Sequence, residues 1–209
     1  MFGPGRKNIV VKKKATFRGY FQSNKLNRRI AFESNNEFNA CKLIEVDPGV
    51  TDYKEQPAAI PYELNGRSHT YYPDFWVKKY GQETFVEVKP AEILKDPEIR
   101  SKYGAIEEAL KGQGYKFTLL ADDEAAKQPR LRNSELLLRY ARSEYSHQDV
   151  EAIKSLFIRS REVTLQCCFR ALKFENSIQK TYAMVCAGVL LVNTGEEDIN
   201  SNTIVTLAK

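Results

Sequence analysis

The sequence predicts an α/β protein: a mixed sheet with helices on its faces, in the order αβββαβ, followed by a smaller α+β C-terminal domain. Three observations carry that expectation. Strand-like runs separated by turn signals occupy residues 58–88, and Asn65-Gly66 is the sharpest of those signals. Helix start and stop signals bracket this region on both sides. Beyond residue 132 helical patterns dominate, and the chain closes on a strand-like tail. The boundaries that follow are a basic N-terminal arm over 1–29, the mixed-sheet domain over 30–121, a linker over 122–132, and the C-terminal domain over 133–209.

Taken in order, the arm is defined by charge. Residues 1–29 hold nine Lys and Arg and no acid, in a chain of 209 residues whose net charge is only +5. Lys12, Lys13, Lys14, Arg18, Lys25, Arg28 and Arg29 suit phosphate contacts, with Phe17, Tyr20 and Phe21 interleaved to pack on sugar or base. The ordinary alternative is a solvated tail. Ser34-Asn-Asn-Glu37 reads as a capping box opening a helix, with Phe38, Cys41, Leu43 and Ile44 on its apolar face and Asp47-Pro48-Gly49 as its stop. Ala58–Leu64, Arg67–Val77 and Glu83–Val88 then form a meander, the first turn at Asn65-Gly66 and the second at Tyr80-Gly81. Pro61 marks an edge strand or a bulge. Asp96-Pro97 is an N-cap with Pro at the first helical position. Ile99, Tyr103, Ile106, Ala109 and Leu110 give that helix its apolar face, and Gly112 and Gly114 close it. A buried strand over Tyr115–Leu120 comes next, and the strand–helix–strand crossover makes it parallel to the third strand. Helices follow at Ser134–Arg142, His147–Phe157, Thr164–Ala171 and Ser177–Val192, with a terminal strand at Thr203–Leu207. Short helices closed by a β-ribbon suggest a winged-helix module.

Composition narrows the function classes. The longest apolar run, residues 182–192, falls well short of the ~20 residues that span a bilayer, so no membrane segment is expected. No secretory signal is visible, and the four cysteines show no C-x-x-C spacing, so a reduced cytoplasmic chain is expected. Two histidines, His69 and His147, leave little room for a His-rich metal site or a His-based triad. His69 falls opposite Tyr62 across the Asn65-Gly66 turn and reads as a half-buried strand residue. Cys167-Cys168 reads as core packing.

Chemistry concentrates in the second hairpin. If its turn centres between Tyr80 and Gly81, Asp74 faces Glu87 directly across the ladder, with Cβ atoms ~4.5–5.5 Å apart. Lys89 lies two residues beyond Glu87 and shares its face. Opposed carboxylates repel unless a positive charge lies between them, and a hard divalent cation such as Mg2+ is the natural occupant. Lys89 can orient a water or stabilise charge growing on a phosphate oxygen. The ordinary alternative is a solvated cross-strand pair bridged by Lys89. A third acid would come from the first helix, with Glu33 and Glu37 as candidates; the capping box already accounts for Glu37, and Glu33 could pair with Arg28 or Arg29.

These residues carry a resemblance. RRIAFESNNEFNACKLIEVDPGVTDYKEQPAAIPYELNGRSHTYYPDFWV, followed by ETFVEVKP, resembles the N-terminal nuclease domain of the TnsA family, the endonuclease subunits of heteromeric cut-and-paste transposases. The likeness covers residues 15–121 through E-S-x-x-E, E-V-D-P-x-V, E-Q-P, Y-x-P-D-F and V-E-V-K-P. It extends more loosely to the C-terminal domain through GVLLVNTGEEDINSNTIVTL. The resemblance implies a restriction-endonuclease-like fold of the PD-(D/E)-x-K class. It implies Glu37, Asp74 and Glu87 as metal ligands and Lys89 as the catalytic lysine, with Mg2+ as cofactor and Mn2+ able to substitute. It implies cleavage of the non-transferred strand at the 5′ transposon ends. The implied partners are a TnsB-type DDE transposase, a TnsC-type AAA+ ATPase, and in some relatives a CRISPR-guided targeting complex. Two other functions remain compatible with the same residues: a stand-alone nuclease of restriction, repair or phage, and a non-catalytic DNA-binding scaffold.

Overall fold

The computed structural model describes residues 3–5, 17–172 and 175–208. The chain divides into two compact units, Met1–Ile44 with Gly49–Ala126, and Glu45–Pro48 with Lys127–Lys209.

The first unit begins with a two-residue strand β1 (Gly3–Pro4), then β2 (Gly19–Ser23) and β3 (Arg28–Phe32), an antiparallel hairpin. The boundary expected at residue 29 therefore falls inside β3, and the second half of the basic segment is folded. Helix α1 (Asn35–Val46) follows. Ser34 Oγ accepts the Glu37 N–H at 3.1 Å, as the capping box requires. Strand β4 (Val50–Glu55) was not foreseen. The chain continues through β5 (Ala58–Leu64), β6 (Arg67–Tyr71), β7 (Phe75–Lys79) and β8 (Gln82–Lys89). A short 3-10 turn leads to α2 (Pro97–Lys111), then β9 (Lys116–Ala121) and α3 (Asp122–Ala125).

The expected three-stranded meander is replaced by two sheets. β5 and β6 form one hairpin, which β1 extends, and the main sheet runs in the order β4-β7-β8-β9. The physical cause lies at Pro73. It offers no N–H to a ladder, and the chain leaves one sheet there and enters the other. β4 supplies the neighbour that β6 was expected to be for β7. Both hairpin turns match expectation. Asn65-Gly66 (φ 52° and 70°) and Tyr80-Gly81 (φ 49° and 78°) hold two successive left-handed residues, which suits the twist of the strands they join. Asp96 caps α2, its side chain accepting from the Glu98 and Ile99 N–H groups, with Pro97 at the first helical position. β9 runs parallel to β8. A core of Ala58, Ile60, Tyr62, Tyr71, Phe85, Tyr103, Ile106 and Leu110 seals α2 against the β5–β6 hairpin and β8.

The second unit holds α4 (Arg130–Tyr140), α5 (His147–Leu156), β10 (Val163–Thr164), α6 (Leu165–Ala171), α7 (Ser177–Cys186), β11 (Leu190–Val192) and β12 (Ile204–Leu207). α3 and the start of α4 thus occupy much of the segment expected as a linker. The helix expected through Val192 stops at Cys186, because Gly188 turns the chain with a φ of 73°. The freed residues form β11, and the three strands pair antiparallel in the order β10-β12-β11. Asn133 is buried and fastens the 193–200 loop, donating to the Thr194 and Glu197 carbonyls and accepting the Ile199 N–H. Cys168 is buried as expected, whereas Cys167 is exposed. Among the described residues no helix is long and apolar enough to cross a membrane.

Candidate active site

Asp74 sits where the chain passes from β6 to β7. Its carbonyl accepts the Gln56 N–H at 2.8 Å, which anchors it to the end of β4. The ladder ends with Phe75 paired to Val86, the register that the turn position predicts, and Asp74, one residue before β7, falls across from Glu87. The two acids are also laced together through the backbone. The Asp74 N–H donates to Glu87 Oε2 at 3.2 Å, and the Val88 N–H donates to Asp74 Oδ2 at 2.8 Å. Asp74 Oδ1 accepts no hydrogen bond among the described residues.

Lys89 completes the cluster. Its Nζ lies 2.6 Å from Glu87 Oε1 and 3.8 Å from Asp74 Oδ2. One ammonium serving two carboxylates leaves the site short of positive charge. The consequence falls on Asp74: burial first, and then the Glu87 charge, push its carboxyl up to about 8, against partial relief from Lys89. For Lys89, burial alone would pull the ammonium down. Asp74 and Glu87 together outweigh burial, and its pKa is raised. Lys89 therefore stays charged and suits electrostatic stabilisation rather than proton abstraction.

The face that carries these acids is not solvated. Glu87 is only 3% exposed. The Tyr103 hydroxyl of α2 donates to its Oε1 at 3.2 Å. Tyr71 and Phe85 are buried in the core beside α2, so the hydrophobic contacts of α2 and the acid pair share one side of the sheet. A buried ion cluster of this kind is costly to build for structure alone.

Glu37 occupies both its oxygens locally. Oε2 accepts the Glu33 N–H at 2.8 Å and Oε1 accepts the Ser34 hydroxyl at 3.0 Å. Burial raises its pKa above the usual carboxylate range, the Glu33 N–H and Ser34 bonds oppose that, and the field of Lys89 reaches it. Among the described residues no three His, Cys, Asp or Glu side chains lie close enough to hold one metal ion in this arrangement. The donor chemistry nevertheless fits a hard cation: two opposed carboxylates, an unclaimed Asp74 oxygen, and a single ammonium for two acids.

The basic residues divide. Lys12, Lys13 and Lys14 lie outside the described residues. Lys25 donates to the Val50 carbonyl at 2.7 Å, and Arg28 is paired with Glu55 at 2.8 Å and donates to the Tyr53 carbonyl, so both are tied to the fold. Arg28 thus takes Glu55 as its partner, not Glu33 as the sequence suggested, because β4 lies beside β3. Arg29 is exposed, on the same face of the hairpin as the exposed Tyr20, while Arg18 is half-buried. His69 is exposed rather than half-buried, its ring stacked on Tyr62 at 5.3 Å. Sequence reasoning assigned no site role to Tyr71, Tyr103 or Gln56. Tyr103 carried a signal only as an apolar helix position, and its hydroxyl contact depends on how α2 lies on β8.

The mixed sheet thus sets Pro73-Asp74, just before β7, against the Glu87-x-Lys89 segment of β8. Residues 47–122 match the family model of the Tn7 TnsA-like N-terminal domain, described as TnsA-like endonuclease N terminal, so this segment is similar to a TnsA-like endonuclease domain. Such a domain suggests a nuclease role in Tn7-like transposition. No curated protein matches the chain.

Proposed function

We propose that the chain is the metal-dependent DNA endonuclease subunit of a transposase. Its reaction is hydrolysis of the phosphodiester at the 5′ ends of the transposon, on the non-transferred strand. It acts beside a TnsB-type DDE recombinase and under a TnsC-type AAA+ regulator, in some systems with a CRISPR-guided targeting complex. The observation that carries this reading is the excess of acid over base at Asp74, Glu87 and Lys89 within a TnsA-like domain.

Asp74 and Glu87 would hold Mg2+, or Mn2+ in its place, with Glu37 as a third ligand once it leaves its cap. Such an ion supplies Lewis-acid polarisation of the phosphodiester. The backbone bonds from Gln56 and Val88 keep Asp74 in place, so the carboxylates are pre-oriented. Lys89 remains protonated and steadies negative charge on the phosphate oxygens as it develops. Arg29, Arg18 and the Lys12–Lys14 run are the phosphate contacts, and Lys25 and Arg28 brace the hairpin that carries Arg29. In the second unit, four helices and a three-stranded antiparallel sheet support a winged-helix-like module. Residues 122–209 are neutral overall, with twelve basic and twelve acidic residues, which suits a protein partner better than free DNA.

Strand cleavage by the purified chain with its recombinase partner and Mg2+ tests the reading. Asp74→Ala and Lys89→Ala are expected to abolish cutting while DNA and partner binding survive. Normal cutting by Asp74→Ala would remove the assignment.

A further inference from the structure

Tyr71 is a buried residue, 7% exposed, and its hydroxyl makes no well-formed hydrogen bond among the described residues. An unsatisfied buried hydroxyl is unfavourable and marks a position that structure alone does not explain. The Glu87 carboxylate lies beside it and interacts with it, short of a well-formed hydrogen bond; burial first and then the Glu87 charge keep the hydroxyl protonated.

Its position is rigid. The Tyr71 ring packs edge-on against Tyr103 at 6.1 Å and against Phe117 at 6.4 Å, while Tyr103 stacks on Phe117 at 6.0 Å. Two tyrosine hydroxyls therefore project from one aromatic cluster beside one carboxylate. Tyr103 already uses its proton on Glu87 Oε1, and Lys89 occupies that same oxygen. If a cation takes Glu87, the Lys89 ammonium must withdraw, since like charges cannot share one oxygen. Glu87 then loses its shortest bond, and the Tyr71 hydroxyl beside it is a donor able to replace it.

We infer that Tyr71 is a positioning residue for the cation site: it takes over Glu87 from Lys89 when a divalent ion binds, while Tyr103 holds the carboxylate throughout. This rests on the proposed reading of Asp74 and Glu87 as metal ligands. Tyr71→Phe removes the hydroxyl and keeps the ring, so the aromatic cluster survives. An orphan hydroxyl lost from the apo protein does not lower its stability, but a donor lost from the loaded site weakens metal binding by roughly tenfold, the scale of one hydrogen bond to a charged group.

Titration of Mn2+ into the full chain by calorimetry, with melting temperatures taken without metal, separates the possibilities. The expected result for Tyr71→Phe is roughly tenfold weaker Mn2+ binding with an unchanged or higher melting temperature, and nicking restored by excess Mn2+. Wild-type Mn2+ affinity in the variant overturns the inference. So does weaker binding accompanied by a lower melting temperature, which is the signature of a merely structural tyrosine. Absence of Mn2+ binding in the wild-type chain, by contrast, overturns the metal site itself and this inference with it.

Discussion

The two units open a helix with the same device and reach opposite electrostatic outcomes. In the first, Ser34 caps α1 and Glu37 reaches back to the Ser34 hydroxyl and the Glu33 N–H; in the second, Ser146 caps α5 and Asp149 closes a full capping box. Asp149 is held below the usual carboxylate range, chiefly by the Ser146 N–H and also by Lys180, whose Nζ lies 3.0 Å away. Glu37 is pushed the other way by burial. In the second unit each acid of the box has its base. In the first, Lys89 is shared between Asp74 and Glu87, and the deficit accumulates around it. A capping motif by itself thus says nothing about function. The balance of charge around the motif does.

That contrast can be broken or sharpened experimentally. The largest effect is expected at the deficit itself: Asp74→Ala or Lys89→Ala should lower strand cutting by about a thousandfold or more, the scale of removing a key electrostatic group. Lys180→Met in the second unit should leave the intrinsic chemistry of the site unaltered. Asn133→Ala should destabilise the second unit by about 2–4 kcal/mol in denaturant unfolding, because three hydrogen bonds of a buried amide are lost and the 193–200 loop is released.

Acid titration gives the two units opposite slopes. The raised pKa of Asp74 means that the folded state binds its proton more tightly than the unfolded chain does. Its contribution to stability is fully present below the ordinary value of 3.8 and is lost as pH rises through about 8. Melting temperature should therefore decline over that window, Asp74→Asn should flatten the decline, and Mg2+ should offset it most at the alkaline end. Asp149 behaves in reverse: its lowered pKa contributes stability above the ordinary value and loses it as pH falls. Smallest is the effect on the caps. Ser34→Ala and Ser146→Ala should each cost about 1 kcal/mol. Only Ser34→Ala should alter Mg2+ dependence, by freeing Glu37 for the ion.

Local chemistry made much of this legible in advance. The Asn65-Gly66 and Tyr80-Gly81 turns set the register of both hairpins, and the second register alone placed Asp74 opposite Glu87. The caps at Ser34 and Asp96 and the parallel β9 follow from rules that act within a few residues or one crossover. What escaped depends on distant packing. β4 has a strand-like alternation too weak to separate from loop, and it becomes a strand because β7 needs a neighbour. Pro73 is the point of exchange between two sheets, which no local signal distinguishes from a bend within one. The burial of Glu87 under Tyr103, 16 residues further along the chain, and the pairing of Arg28 with Glu55, 27 residues away, are products of that packing.

Anomalous diffraction from Mn2+-soaked crystals tests the charge deficit most directly. The expected result is a peak within bonding distance of Asp74 Oδ1 and a Glu87 oxygen, with the Lys89 ammonium moved off Glu87. A map with no peak there, and the Lys89–Glu87 bond intact at saturating Mn2+, would contradict it.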